Sequence, residues 1–588
     1  LGTVGWVRTH RKLLVLSAAP VLALAACGSG PEQPDTVAGQ FADALNRDDV
    51  AAAAALTDDP AKATDTLNQL YDGLGKEVTF EVRSTDGNGF TLAATWHLGK
   101  GGRNEWSYTT VGEATENGEW KIRWDPATVA PGLAAGPLTY GPAFAKPARV
   151  LDGAGGDLMT EQIVTLVNLT SGVDTAAVAA LLAPLAPGIT AQSLDAELAA
   201  AQGKPVTAIT LRAADIAPIN DALAALPGVT LAPQTRLLTV DKALSSPTMT
   251  GIAELWQQNA DEAAGWAVRA KTPTGTERIA GEDPRPTADI ATTLSTGLQR
   301  AAEDALAPIA QPAAIVALQP STGNVLAMAQ NAAADAQGPI ALTGLYPPGS
   351  TFKTVTVSAA LQAGEVNPDT VLPCPGSADI EGRRIPNDDN FDLGQVPLHT
   401  AFARSCNTTM GMLGVQLPPD GLTKAATQLG LGIDYVTPGL TTVTGKVPTA
   451  DTPAERVESS IGQGQVTASP FGMALVAASI ARGSVPTPTV VQGRPGVADR
   501  QPEPLPGTVD DQLKTMMRET VTGGTATQLR DIPGLLGKTG TAEYIDDTHA
   551  HGWFVGIDGD LAFAVFVADA GSSAPAVEAA GRMLRAPR

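Results

Sequence analysis

Three short residue groups in this chain have the types and spacing of a covalent acyl-transfer centre: Ser350-Thr351-Phe352-Lys353, Ser405-Cys406-Asn407 and Lys538-Thr539-Gly540, each found once and in that order. Ser350 follows Pro348-Gly349 and opens an apolar, helix-periodic run that reaches Gly364. Two readings of it are open. A serine there caps a helix, because its oxygen accepts from a free backbone N–H of the first turn. It is also where a nucleophile belongs, since the positive end of the helix dipole and the same N–H groups favour an alkoxide and, later, an oxyanion. Lys353, three residues on, falls on the same helical face. An amine takes a proton only when neutral, so its ordinary pKa of about 10.4 must fall by roughly three units, about 4 kcal/mol between protonation states. Burial and a second nearby cation are the two means, and Lys538 offers that cation. It lies in a strand-like stretch, GLLGKTGTAEY, whose Gly540 is expected to let a ligand backbone approach closely.

Several elements must position these groups. TTLSTGLQRAAEDALAPI has a helical pattern, and AAIVALQPSTGNVLAMAQ reads as two strands turned at Ser321-Thr322-Gly323-Asn324. Near the C-terminus WFVGI and LAFAVFVAD read as a hairpin about Asp558-Gly559-Asp560, followed by a closing helix. The linker GEDPRPTAD marks the start of this largest domain, residues 285–588. Before it, residues 146–282 mix short strands with Ala-rich helices and hold no chemical constellation, so a spacer or partner-binding role is expected. Residues 35–75 give two Ala-rich helical stretches, and EVTFEVR, GFTLAATWHL, NEWSYTTVG and GEWKIRW follow as strands separated by turn signals. Helices followed by an antiparallel meander make a small α+β unit over residues 35–145, with Trp96, Trp106, Trp120 and Trp124 expected in its core.

At 588 residues and 43% apolar content the chain is long enough for three or four domains, and its net charge of -22 with no basic, aromatic-interleaved cluster argues against nucleic acid binding. Arg8, His10, Arg11 and Lys12 precede LLVLSAAPVLALAA, an apolar run of fourteen residues broken by Pro20. That is short of the roughly 20 residues a membrane-crossing helix needs and has the form of a secretory signal. Leu24-Ala25-Ala26-Cys27 resembles the lipobox of bacterial lipoproteins, so residues 1–27 read as a signal with Cys27 as the lipidation site, and 28–34 as a tether. An uncleaved anchor is the alternative; either holds the protein at the outer face of a bacterial cytoplasmic membrane. Cys374 and Cys406 then remain as an even pair in an oxidising compartment, where a disulfide and two buried thiols are both open.

The three groups, in this order and at these wide separations, resemble the penicillin-binding protein transpeptidases over residues 285–588. AIVALQPSTGNVLAM, AFARSCNTTM, IGQGQVTASPFGMALVAASIARG and HGWFVG reinforce the likeness. It implies a multidomain α+β protein whose C-terminal part has the penicillin-binding, serine β-lactamase-like fold: an antiparallel sheet covered by helices plus an all-helical subdomain, with the site in the cleft between. Residues 35–145 resemble the NTF2-like domain of some of these proteins, and 146–282 take the place of their dimerisation or pedestal domain. The resemblance makes Ser350 the acylated nucleophile and Lys353 its base. Ser405 relays a proton to the leaving group, Asn407 holds the substrate amide and steadies Lys353, and Lys538 supplies the second cation. Thr539 and Thr541 receive the substrate carboxylate, the N–H groups of Ser350 and Thr541 form the oxyanion hole, and the strand at Gly540 pairs with the peptide. Implied too are a D-Ala-D-Ala stem-peptide donor, an amine acceptor on a neighbouring stem, some carboxypeptidase activity, covalent inhibition by β-lactams, no cofactor and no metal.

The chain resembles the monofunctional, class B type, which depends on a separate glycan polymerase; its NTF2-like front resembles the arrangement in low-affinity, drug-resistant members, which makes β-lactam tolerance an expectation to measure by acylation rate. A β-lactamase or a β-lactam sensor uses the same acylation groups, but no E-x-x-L-N segment supplies the deacylating glutamate of the class A hydrolases. Gly537-Lys538-Thr539 fails as a phosphate loop because Ile532 stands where a glycine is needed. His549 and His551 form an H-x-H without a third ligand nearby, which reads as a loop and not as a metal site.

Overall fold

The structure is a computed structural model that describes residues 33–543 and 549–587; the leader, the lipobox-like motif and Cys27 lie outside the described residues. Chain contacts divide it into two units, one running up to Phe144 and taking in Ala264–Arg285, the other comprising Ala145–Ala263 and Pro286–Arg588.

In the first unit, helices Pro34–Asn46, Val50–Ala55 and Pro60–Leu74 precede a meander of strands Val78–Asp86, Gly89–Leu98, Asn104–Glu116 and Trp120–Ile122, each paired antiparallel with the next. Three helices stand where two were expected because Asp48 turns to a φ of 55° and Asp49 then caps a new helix by accepting from Ala52 N. Trp96 and Trp106 are buried with Phe41, Leu67 and Leu70, while Trp120 and Trp124 pack at the margin of the same core. The indole of Trp96 donates to the Tyr108 hydroxyl at 2.9 Å, so the buried N–H is satisfied. The hairpin Gly265–Thr272 and Gly275–Glu282 joins this unit by pairing with strand Leu138–Ala143.

The second unit opens on the short strand Val150–Leu151 and holds strand Asp157–Leu169 between Val206–Arg212 and Val229–Thr239, over which helices Thr175–Leu182 and Ala191–Ala200 bury Val178, Leu182 and Leu194. Helix α1 (Thr296–Leu306) then leads to strands β1 (Ala313–Leu318) and β2 (Val325–Gln330). Helices α2 (Lys353–Ala363), α3 (Leu398–Ala403), α4 (Asn407–Gln416), α5 (Pro470–Arg482) and α6 (Gly507–Thr522) follow. Strands β3 (Leu536–Glu543), β4 (Ala550–Asp558) and β5 (Leu561–Val567) run into the last helix, α7 (Ala574–Arg585). The sheet order is β2-β1-β5-β4-β3, antiparallel throughout.

Both faces of this sheet are covered, which is why its central strands are almost wholly apolar. The two-residue period divides β1 between two cores: Ala314, Val316 and Leu318 face the core that includes α5 and α2, and Ala313, Ile315 and Ala317 face the one built with α1 and α7. α5 is buried from Pro470 to Ile480; Ser469 caps it by accepting from Gly472 N, and Gly483 at φ 80° ends it. That buried helix anchors the sheet against the helical layer carrying α2, so the groups on α2 and on β3 are held by rigid elements.

Candidate active site

Ser350 does not cap a helix. Residues Gly349–Phe352 form a 3-10 turn, and α2 begins only at Lys353. The cause lies in Gly349, whose φ of 51° bends the chain into helical geometry ahead of the serine. The turn is pinned from three sides: Trp553 Nε1 donates to Pro347 O at 3.0 Å, Gly349 N to Gly462 O at 3.0 Å, and Thr351 Oγ1 to Pro348 O at 2.7 Å. Among the described residues the Ser350 hydroxyl has no side-chain hydrogen bond, so it is unspent for chemistry.

Lys353 is fully buried. Its Nζ donates to Asn407 Oδ1 at 2.6 Å, Ser405 O at 2.7 Å and Ser405 Oγ at 3.2 Å. Lys538, also fully buried, donates from Nζ to Ser405 Oγ at 2.9 Å and Thr539 O at 2.9 Å, and lies 5.7 Å from the centre of the Phe402 ring. Two amines thus converge on one serine oxygen. Burial, and then the charge of Lys538, hold Lys353 well below the ordinary lysine range, with Asp388 pulling weakly the other way. Burial alone brings Lys538 down to about 7. Burial thus favours the neutral amine that the chemistry demands of Lys353.

Ser405 reaches this position by a local constraint. It takes a φ of 63° at the end of α3, with Ser405 N donating to Phe402 O and Cys406 N to Ala401 O. Cys406 is disulfide-bonded to Cys374, which ties the middle of Ser405-Cys406-Asn407 to the strand Val371–Cys374.

Strand β3 is the edge of its sheet among the described residues, pairing with no strand other than β4. Its outer side offers backbone groups to an extended peptide. Gly540 makes a close approach, but to the Ser350 turn and not to open space: a Cβ there would sit 2.9 Å from Thr351 Cγ2 and 3.0 Å from Pro348 O and Thr351 N. A Cβ on Gly349 would in turn lie 2.5 Å from Thr541 O. The two glycines let turn and strand touch, which sets the backbone of Ser350 beside that of Thr541. Thr539 is buried, and its Oγ1 shares a 2.6 Å hydrogen bond with Thr525 Oγ1. Thr525 is a site residue that the sequence does not announce. It follows Gly523-Gly524 after α6, a pattern shared by any helix end, and Gly524 packs so closely on Ala403 O that a Cβ would come within 2.3 Å.

His551 lies buried on β4, accepting from Asp569 N at 3.2 Å, and burial lowers its pKa. Among the described residues no three His, Cys, Asp or Glu side chains are grouped to hold a metal ion, and no helix is long and apolar enough to cross a membrane.

Residues 313–586 match the family described as penicillin binding protein transpeptidase domain, and 33–137 match the NTF2-like N-terminal transpeptidase domain. The chain is 34% identical over 368 residues to the peptidoglycan D,D-transpeptidase PbpA of Mycolicibacterium smegmatis, covering 52% of this chain and 72% of that one. It is 30% identical over 324 residues to PbpA of Mycobacterium tuberculosis, covering 47% and 65%. A solved structure titled for the coordination of polymerization and crosslinking by a peptidoglycan synthase complex aligns with a TM-score of 0.55 at 25% identity, over 76% of this chain and 91% of that one.

Proposed function

The chain belongs to the penicillin-binding D,D-transpeptidase family and is a peptidoglycan D,D-transpeptidase; from that premise we propose that Ser350 is its acylated nucleophile and Lys353 the base that activates it. Lys353 takes the Ser350 proton as Oγ bonds to the penultimate carbonyl of a D-Ala-D-Ala stem. The N–H groups of Ser350 and Thr541 receive the oxyanion, whose charge exists only at that stage. Ser405, set between the two amines, gives its proton to the departing nitrogen and takes the one Lys353 holds, so the C–N bond breaks, D-alanine leaves and Lys353 is neutral again. An amine of a neighbouring stem then attacks the ester, gives its proton back through Lys353, and frees Ser350. Thr539 and Thr541 hold the terminal carboxylate under the field of Lys538, Asn407 holds the substrate amide, and β3 pairs with the peptide backbone.

The observation that carries this reading is the convergence of two fully buried lysines on Ser405 Oγ, at 3.2 and 2.9 Å. A β-lactam enters the same first step, but its leaving nitrogen stays tethered in the acyl group and blocks the second. We infer further a class B enzyme held by lipid at Cys27 on the outer face of the cytoplasmic membrane, working beside a separate glycan polymerase. Intact-protein mass spectrometry after benzylpenicillin is the test: one adduct per chain is expected, and none with Ser350→Ala. An adduct that survives this substitution, or none on the unaltered chain, overturns the assignment. Rapid hydrolysis of a chromogenic cephalosporin with no transfer to a stem-peptide amine would instead mark a β-lactamase.

A further inference from the structure

Helix α4 begins at Asn407, yet its own N-cap residue, Cys406, gives it no side-chain cap. The first N–H groups of a helix need acceptors, and here they find one 20 residues upstream. Asn387, only 2% exposed, accepts on Oδ1 from Asn407 N at 2.8 Å and from Thr408 N at 3.2 Å. Its Nδ2 donates to Pro375 O and Phe391 O, both at 2.8 Å. Every part of the amide is used, and the two carbonyls fix which end faces the helix. Pro386, its neighbour, completes the grip: Pro386 O accepts from Asn407 Nδ2 at 2.9 Å. Because a carbonyl can only accept, that bond commits Asn407 Nδ2 outward and turns Asn407 Oδ1 towards Lys353 Nζ, 2.6 Å away.

Building on the roles assigned to Asn407 and Lys353, we propose that Asn387 is a positioning residue of this reaction, a helix cap supplied from a separate segment that registers Asn407 against the catalytic amine. Aspartate in its place keeps an accepting oxygen but turns a second one, in place of the Nδ2 donor, onto Pro375 O and Phe391 O; alanine removes both and leaves two helix N–H groups and Phe391 O without partners, Pro375 O keeping the Thr408 hydroxyl.

The experiment measures the second-order acylation rate by a fluorescent penicillin in the full chain, for Asn387→Ala, Asn407→Ala, the double variant and Asn387→Asp, well below each variant's melting temperature. Asn387→Ala is expected to slow acylation at least about tenfold, and the double variant to react no more slowly than Asn407→Ala, because one residue acts through the other. Asn387→Asp, which keeps the cap oxygen and loses the Nδ2 anchor, is expected to be slowed less than Asn387→Ala, and it takes that variant's place in the double-variant comparison if Asn387→Ala does not fold. A folded Asn387→Ala protein that acylates at the normal rate overturns the proposal. So do losses that multiply in the double variant, or a folded Asn387→Asp protein slowed as much as Asn387→Ala. If the unaltered chain takes no penicillin, the failure belongs to the functional assignment; normal acylation of the unaltered chain with an unaffected Asn387→Ala sinks the cap alone.

Discussion

Ser405 holds a left-handed φ of 63°, which costs a residue with a side chain roughly 1–2 kcal/mol, and what that strain secures is an oxygen within reach of both lysines. Burial makes those lysines reactive and also makes them a burden. The folded pKa of Lys538 is depressed from 10.5 to about 7, so the unfolded chain binds more protons between those values and stability rises with pH across that window. Below about 7 the buried charge is a full penalty. Lys538→Met is therefore expected to stabilise the fold at pH 6 by on the order of 2 kcal/mol after its lost hydrogen bonds are discounted, seen as a higher melting temperature, while abolishing acylation; scanning fluorimetry alongside penicillin labelling checks both. In the unaltered protein, acylation is expected to climb from acid towards neutral pH and level off well short of the ordinary lysine pKa of about 10.4, because Lys353 is held low; a rate still rising above about pH 9 contradicts this. Thr525→Ala frees the Thr539 hydroxyl from its 2.6 Å partner and is expected to slow a carboxylate-bearing β-lactam about tenfold, roughly the worth of one net hydrogen bond, with Thr525→Ser restoring it and the methyl ester of the drug little affected. The demand for a second buried cation is legible in the sequence, since the chemistry of Ser350 and Lys353 requires one. Thr525 is not legible, because its meaning comes from a contact with Thr539 that no local pattern encodes.

Turn and strand meet through Gly349 and Gly540: a Cβ on Gly349 would sit 2.5 Å from Thr541 O, closer than any Cβ tolerates, and one on Gly540 would sit 2.9 Å from Thr351 Cγ2 and 3.0 Å from Pro348 O and Thr351 N, which the turn must shift to admit. Gly540→Ala is expected to leave the fold intact, since the sheet retains β4 as partner to β3, yet to slow acylation at least about a hundredfold by displacing the Ser350 turn; a folded variant with a normal labelling rate would refute this packing argument. The central strands of the sheet, β1 and β5, are legible because burial on both faces leaves continuous apolar runs. The start of α2 is not: Pro348-Gly349-Ser350 reads as a stop followed by a cap, whereas the left-handed Gly349, fixed by Gly462 and Thr541, moves Ser350 inside a 3-10 turn. The purpose of Gly540 is misread for a related reason, because a strand glycine marks a close neighbour without saying which one.

Each of the two units has its own core, so calorimetry is expected to resolve two unfolding transitions, with penicillin raising only the one that belongs to the second unit, Ala145–Ala263 with Pro286–Arg588, since a ligand stabilises what it binds; a single transition that moves as a whole contradicts this. The order of the three reactive groups along 588 residues reveals the catalytic unit, because a shared site forces distant segments to keep compatible chemistry. The membership of Ala264–Arg285 in the first unit is hidden, since the strand Leu138–Ala143 that receives its hairpin lies more than a hundred residues earlier. The lone outer rim of β3 has a consequence for what the enzyme tolerates in its polymer. A guest held there by main-chain amides is gripped by what all peptides share, so variation in its outward side groups passes unnoticed, whereas a methyl on a single bonding nitrogen locks the guest out.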